Sequence, residues 1–368
     1  MEEKAHVGGY TMKVLYLYAG EREKLERDWQ SGLMPDSHLI GFNHLKDFGI
    51  DVSYIENRFL NFIRKKNFNL TNLFLLPVLH RYDAVFSGAS LFLPFVAKVI
   101  LRLKRPKFIW YNTFFTNTLK RNYHNRFRRW ILRKTISSLD AIICPSTAQR
   151  RFLVDSGFAP AKIFFVPNGI DISFMEKTSV GEGTPRVHPK PFVLSVGKDM
   201  GRDYETLIRA AADFPVEILI VALPRNLEGI KSIPPNVKIL GFVPFPQLVR
   251  LYSEALFVVI PTKSERYLGA SDCSGQYVLL DAMSLGKAII ASERETLADY
   301  FSHGKEGVVI PAENADALRG SMLSLFESES VRKQYGEKAK ARASVFTTTH
   351  LAENLSKIFR KVHEQNAD

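Results

Sequence analysis

The chain has 368 residues, long for one hydrophobic core and suited to two domains of ordinary size. Apolar residues make up 46% and charged residues 24%, a balance that excludes disorder, and two distant cysteines, Cys144 and Cys273, exclude a disulfide framework and suit a reducing compartment. The net charge of +12 is concentrated in one region rather than spread along the chain.

The opening MEEKAHVGGYT lacks an apolar stretch of the kind a secretory signal needs, so none is expected. Met12–Tyr18 (MKVLYLY) reads as a first buried strand, followed by Ala19-Gly20. A helix is expected over Ser37–Phe48, capped by Gly49, with Asp51–Ile55 as the next strand. Ala84–Phe86 and Phe108–Tyr111 are further short strands. The apolar run Leu91–Leu101 carries Lys98 and is too short to span a bilayer.

Between Asp83 and Asp140 there is no acidic residue. Lys98, Arg102, Lys104, Arg105, Lys107, Lys120, Arg121, Arg126, Arg128, Arg129, Arg133 and Lys134 fall in that interval, interleaved with aromatics such as Phe92, Trp110, Phe127 and Trp130. Such a field attracts anions: phospholipid headgroups, a lipid-pyrophosphate acceptor or nucleic acid. No RNA- or DNA-binding module accompanies it, so no nucleic-acid partner is expected, and a plain solvated face is the bland alternative.

Ala141–Cys144 is another strand, and Ser146 caps a helix reaching Ser156. Lys162–Val166 ends at the turn Pro167-Asn168-Gly169, where Asn168 reads as structural. Glu176–Pro191 is rich in Gly, Pro and charge and reads as an interdomain linker. A second α/β series follows, with strands at Phe192–Val196, Val216–Val221, Val237–Leu240, Leu256–Ile260, Ala288–Ala291 and Gly307–Ile310. Helices near Tyr204–Ala212, Pro246–Ser253, Tyr277–Leu285 and Ala315–Glu327 separate them. Two doubly wound units in succession imply a ligand cleft at the carboxyl ends of their strands.

Two segments of the second unit carry chemistry. Val196-Gly197 runs from a strand into a loop with Lys198 and Arg202; the glycine permits close backbone approach and the two cations suit a diphosphate. Further on, Cys273, Ser274, Gly275 and Gln276 precede a helix through Tyr277, Val278 and Asp281, whose free N–H groups form an anion site. Asp281 is placed to accept ribose hydroxyls; the bland reading has Ser274 as a simple cap and Asp281 in solvent. Cys273, at a helix start, reads as an incidental small residue. His44, His80 and His124 show no ligand spacing, and no metal is expected.

The order of these segments resembles the retaining glycosyltransferases of family 4, with their two-domain GT-B fold. The resemblance rests on Ala19-Gly20, the Asp140–Ser146 stretch, Pro167-Asn168-Gly169-Ile170-Asp171, Gly197-Lys198 with Arg202, Gly241-Phe242-Val243, Asp281 through Lys287, and Gly307 through Pro311. It implies two α/β Rossmann-like domains: residues 1–175, an acceptor domain joined by a returning helix at 349–368, and residues 176–348, a donor domain. It implies a metal-independent, hexosyltransferase-type enzyme (EC 2.4) that moves sugar from a UDP- or GDP-sugar to a glycan, lipid-linked or polysaccharide acceptor, without another cofactor. Lys198 and Arg202 would be catalytic. The donor would contact Gly197, Lys198, Arg202, Phe242, Cys273, Ser274, Gly275, Gln276, Tyr277, Val278 and Asp281, and the acceptor would approach Ala19, Gly20 and Asn112. The expected place is the cytoplasm, with the basic region 98–134 against the inner face of the membrane. Two departures stand out. Cys273 occupies the position of the family's first glutamate, with Asp272 a substitute, and Tyr111-Asn112-Thr113 carries no histidine. A nucleotide-sugar 2-epimerase or a non-catalytic binding protein are alternatives on the same fold.

Overall fold

The computed structural model describes residues 11–179 and 186–364. The leader reading at residues 1–10, the middle of the linker and the end of the last helix lie outside the described residues.

Among the described residues, twelve strands form two six-stranded parallel sheets. The first runs β2 (Ile50–Ser53), β1 (Met12–Leu17), β3 (Ala84–Ser87), β4 (Lys107–Tyr111), β5 (Ala141–Cys144) and β6 (Ile163–Phe165). The second runs β12 (Val308–Ile310), β11 (Ile289–Ser292), β10 (Val258–Ile260), β7 (Phe192–Val196), β8 (Glu217–Val221) and β9 (Val237–Leu240). Their central strands are apolar on both faces, as strands covered by helices on both sides must be.

The first sheet is covered by α1 (Arg22–Gln30), α2 (Arg58–Lys66), α3 (Phe68–Leu73), the short α4 (Phe92–Pro94) that continues as a π-turn, α5 (Phe115–Arg121), α6 (Arg126–Ser138) and α7 (Thr147–Asp155). Caps fix the starts: Asn57, Asn125 and Ser146 accept the amides of Leu60, Arg128 and Gln149. The second sheet carries α8 (Ile172–Ser179), α9 (Tyr204–Ala210), α10 (Phe245–Glu254), α11 (Gln276–Ser284), α12 (Ala315–Glu327) and α13 (Glu329–Ala343). Last, α14 (Thr348–Glu364) returns to the first sheet, where Leu351, Leu355 and Phe359 pack against Val14, Phe86 and Ile109.

Two expectations need correction. The helix over Ser37–Phe48 is broken into two 3-10 turns, Asp36–Leu39 and Leu45–Phe48, because Ile40 and Gly41 adopt left-handed backbone at φ 54° and 76°. A Cβ on Gly41 would stand 3.1 Å from that of Ala352, so the break lets α14 approach closely. The linker reading fails over Glu176–Ser179, which are helical, and the boundary at residue 175 moves earlier, since Ile170 and Met175 are buried in the second domain's core with Phe192 and Leu280.

The chain crosses between domains at Ile170 and again at Thr348, and the crossings are paired. The Ile170 amide donates to the Phe346 carbonyl (2.7 Å), and the Thr348 amide donates to the Ile170 carbonyl (3.3 Å). Gly169 sits against them: a Cβ there would lie 2.7 Å from Thr348 Cα and 2.8 Å from the Thr347 carbonyl oxygen. These are backbone atoms with no rotamer to yield. Gly169→Ala should therefore lower Tm by roughly 2–6 °C, from about 1–3 kcal/mol of overpacking at about 2 °C per kcal/mol. An unchanged unfolding curve by circular dichroism would show that the crossing tolerates displacement.

Candidate functional site

In each sheet the strand order reverses at one point, and the carboxyl ends of the strands flanking it open a crevice. In the second sheet that point lies between β7 and β10. There β7 ends at Gly197, with φ 154°, and the chain loops through Lys198 to Arg202, which pairs in a backbone bridge with Thr262 beyond β10. The Arg202 side chain folds back over the glycine: a Cβ on Gly197 would lie 2.0 Å from Arg202 Nε and 2.7 Å from Cζ. Glycine is thus the residue type that leaves room for the guanidinium. Its other edge faces α11, since Nη1 would be 3.6 Å from a Cβ on Gly275.

Arg202 is 4% exposed, and its Nε and Nη1 have no hydrogen-bond partner. No ion pair engages it among the described residues. A desolvated guanidinium left in this state is costly unless an anion completes it. The neighbouring structure suits one. Gly275, at φ 96°, turns the chain into α11, whose start has no side-chain cap, and Ser274 Oγ is buried without a partner. Ser274 is therefore not the simple cap of the bland reading. Asp199 braces the cradle, accepting the Gly201 amide (2.8 Å) through one oxygen and the Ser271 amide (3.2 Å) through the other. Exposed Lys198 stands at the mouth.

Two turns into α11, Asp281 is 7% exposed, and no hydrogen bond or ion pair engages its carboxyl among the described residues. Burial pushes it up to about 8. Tyr277 and Val278 lie between; Val278 packs on the second domain's core, and Tyr277 turns toward the first domain.

The structure corrects several expected contacts. Gln276 is fully buried and spent on holding the domains together: its Oε1 accepts from Asn168 Nδ2 (2.6 Å) while its Nε2 donates to the Thr296 carbonyl (2.7 Å). Asn112 is also fully buried; its Oδ1 accepts the Phe115 amide (2.9 Å) and its Nδ2 faces Cys144 Sγ, so it caps α5 rather than meeting an acceptor. Asp272 does not substitute for the missing glutamate, because its carboxylate accepts the Thr116 (2.8 Å) and Asn117 (3.0 Å) amides across the domain interface. Phe242, just beyond edge strand β9, is 87% exposed, so its ring is open to a ligand and its expected donor contact is left as it was. Gly20 is exposed, with nothing within 4 Å of a Cβ built on it, whereas Ala19 does line the cleft. Burial and the Asp272 charge push the Cys273 thiol well above its ordinary range, which opposes a nucleophilic role. Asn168 is structural: it accepts from Tyr111 and donates its amide to Tyr300 Oη (2.9 Å).

Facing the cradle, the reversal point of the first sheet, between β1 and β3, opens a pocket of about 270 Å³. Tyr18, Arg22, His38 and Tyr111 line it from the first domain, and Cys273 and Tyr277 close it from the second. The His38 ring lies 5.9 Å from Tyr277 and 6.0 Å from Phe245. Burial, then the charges of Lys198 and Arg22, push it down to about 4, so it is neutral at ordinary pH. Sequence reading missed Arg22 and His38. Their one signal was position, within a helical turn or two of a strand end, and surface helices share it. Among the described residues, no three His, Cys, Asp or Glu side chains converge as metal ligands.

Two family models match the chain: "Glycosyltransferase Family 4" over residues 34–174 and "Glycosyl transferases group 1" over residues 224–342. An N-acetylgalactosaminyltransferase of Campylobacter jejuni acting on a diphospho-undecaprenol substrate is 23% identical over 251 residues, 65% of this chain and 65% of that protein. The phosphatidyl-myo-inositol mannosyltransferase of Mycolicibacterium smegmatis is 24% identical over 258 residues, 68% of this chain and 64% of its own. The chain thus spans just under two thirds of these relatives' lengths. Among solved structures, Anabaena HepE in complex with UDP-glucose superposes with a TM-score of 0.67 at 16% identity, over 95% of this chain and all of that one.

Asp281 yields a pH signature. Because folding raises its pKa from 3.8 to about 8, folding favours the protonated form. Its stabilising contribution is complete below its ordinary pKa and is lost as pH climbs through the folded value. Asp281→Asn cannot ionise, so its Tm relative to the unmodified protein should rise by several degrees between about pH 4 and pH 8 and then level off. A constant difference in Tm across a pH series would show that the carboxyl titrates normally.

Proposed function

This chain belongs to the family 4 glycosyltransferases with the GT-B fold, and from that premise we propose that it moves a sugar from a UDP- or GDP-sugar to a lipid-linked or polysaccharide acceptor with retention of configuration. The observation that carries the reading is the buried, unpartnered guanidinium of Arg202, laid on Gly197 and aimed at the uncapped start of α11. A nucleotide diphosphate supplies the charge that this arrangement lacks.

As the bond from the anomeric carbon to the leaving oxygen breaks, negative charge builds on the terminal phosphate. Arg202 and the dipole of α11 are fixed before the reaction, so they stabilise the transition state more than the bound donor and need not reorganise, and exposed Lys198 adds its charge at the mouth. These protein cations supply the charge that a metal would otherwise bring, and the proposal is therefore a metal-independent transfer. The Asp281 carboxyl accepts ribose hydroxyls. With retention, the acceptor attacks the face the leaving group departs from, and the shielded cleft keeps water from competing. The UDP-glucose complex of HepE supports UDP as the first nucleotide to try.

The acceptor side of the proposal rests on the surface of the first domain. Phe127 (70% exposed) and Trp130 (52%) stack on α6 amid exposed Arg126, Arg128, Arg133 and Lys134, and Phe59 and Phe62 project from the basic α2. Aromatic rings beside cations suit the interface of an anionic bilayer. No helix among the described residues is long and apolar enough to cross a membrane. The lipid-linked substrates named for the two relatives support peripheral attachment at the cytoplasmic face.

Two measurements test these readings. UDP, GDP and their sugars should raise Tm in a concentration-dependent way. Arg202→Gln should weaken that binding by about 10- to 100-fold, the worth of one charge-assisted contact. The same variant should fold as stably as the original protein or better, because an uncompensated buried charge is gone; undiminished nucleotide affinity would remove the guanidinium from the donor site. In vesicle flotation, the protein should rise with phosphatidylglycerol vesicles and not with phosphatidylcholine ones, and Phe127→Ser with Trp130→Ser should abolish the difference. Equal flotation with both lipids would leave the basic face without a membrane role.

A further inference from the structure

The pocket opposite the diphosphate cradle has an unusual lining. Tyr18, Phe86, Tyr111, Phe114 and Tyr277 give it apolar walls, and no carboxylate lines it. A sugar hydroxyl donates one hydrogen bond and accepts two, so a neutral sugar is served by uncharged polar groups and has no need of an unpaired charge. This one presents a guanidinium. Arg22 lies over the Tyr18 ring, its Cζ 3.4 Å from the centroid, and Nη1 donates to the His38 carbonyl (2.7 Å). Its Nε is buried without a partner.

The nearest acid does not neutralise it. Glu56 spends its oxygens on the backbone amides of Arg22 (2.8 and 3.0 Å) and Glu23 (3.1 Å), and its ion pair is with Arg64 at 2.6 Å. Arg22 therefore sits on an apolar wall with a π face and one carbonyl as its direct side-chain contacts among the described residues, and Glu56 acts on it only at longer range. His38 carries no charge at ordinary pH, and burial raises Tyr18, Tyr111, Tyr277 and Cys273, so they too stay neutral there. A cation retained so, at the cost of its hydration, is placed for an anion that arrives with a ligand.

We propose that Arg22 binds an oxyanion carried by the substrate, a carboxylate or a phosphate, so that the transferase acts on a sugar or acceptor that is itself anionic. This rests on the nucleotide-sugar reading of the cleft and adds the chemical class of the group seated across from the donor diphosphate. The oxyanion has three possible sources: a uronic acid in the acceptor glycan, the phosphate joining an acceptor to its lipid, or a carboxylate on the donor sugar. All need the same planar donor fork and the same apolar surround.

The experiment uses matched pairs that differ only in the anion. With the nucleotide site saturated by UDP, or by GDP if UDP does not bind, calorimetric titration compares glucuronate with glucose and geranyl phosphate with geraniol. UDP-glucuronate is compared with UDP-glucose in the empty protein. The expected result is that in at least one pair the anionic member binds tenfold or more tightly than its neutral partner. Arg22→Gln should erase that preference and change UDP affinity less than twofold. Arg22→Lys, which keeps the charge and loses the fork, should keep part of it and serves if the glutamine variant does not fold. The proposal is overturned if no pair shows an anion preference, if the preference survives in Arg22→Gln, or if that variant weakens UDP as much as the anionic probes. The last result would assign Arg22 to the nucleotide cradle. Anion preference without any nucleotide binding would uphold the Arg22 pocket and sink the donor reading instead.

Discussion

The site exists because the carboxyl ends of two sheets face each other, and they face each other because the chain crosses between domains twice at one place. Ile170 leaves the first sheet beside the point where Thr348 returns to it, each crossing hydrogen-bonded to the other. Paired extended segments restrict bending far more than one free linker does, so the two reversal points of the sheets are held in register. Around that pivot Asp36 and Asp171 meet: the Asp171 carboxylate accepts the Asp36 amide (3.1 Å) and its own amide donates to Ser37 Oγ (3.0 Å). The Asp36 carboxylate also takes His44 (2.7 Å) and Thr348 (3.1 Å). The 3-10 turn that carries His38 is thereby tied to the crossing itself, so the pocket wall moves with the hinge.

From that geometry comes an electrostatic division of labour. Cations gather in the cleft with no ion pair engaging them among the described residues: Arg202 in the cradle, Lys198 at its mouth and Arg22 across from it. Asp199 spends its oxygens on the Gly201 and Ser271 amides, while Asp281 is raised by burial and holds its proton near neutrality. A cavity that keeps its cations unpaired and Asp281 neutral presents positive potential inside low-dielectric walls, where each charge reaches further than in water. On the proposed reading, the cost in native stability is the counterpart of affinity for an anionic ligand.

Much of the cradle was legible in the primary structure because its parts are local. Gly197 and Arg202 are five residues apart on one loop, and the small-residue turn before α11 announces a helix start whatever the fold around it. The double Rossmann architecture was legible for the same reason, since each buried parallel strand is a short apolar run. What escaped depends on contacts between distant parts of the chain. Gln276 lies next to Gly275 and looked like a ligand contact, yet its amide is claimed by Asn168, 108 positions earlier. Asp272 looks free in sequence terms, yet both its oxygens are engaged once α5 docks against it from 155 positions away. Ile40 and Gly41 broke an expected helix because α14, three hundred residues on, needed the room. Arg22 showed nothing to mark it off from other arginines until the absence of a partner was visible in three dimensions.

The corrections, taken together, explain how the cleft is sealed. Two carboxylates of the second domain sit on two helix starts of the first: Asp272 on α5, and Asp299 on α7 through the amide and hydroxyl of Thr147, both at 2.8 Å. A helix start is electropositive and its amides need acceptors, so each contact satisfies both partners only when the domains are together. Opening the cleft returns these groups to water at modest net cost, since exposed amides and carboxylates are well solvated. The seal is therefore reversible by design of its chemistry: polar contacts at the rim that water can replace, against buried guanidinium groups in the centre that water reaches poorly and an anion completes. Residues that looked like substrate contacts from their place in the motif serve this closure instead. The substrate is left to the few groups that the closed protein does not itself satisfy.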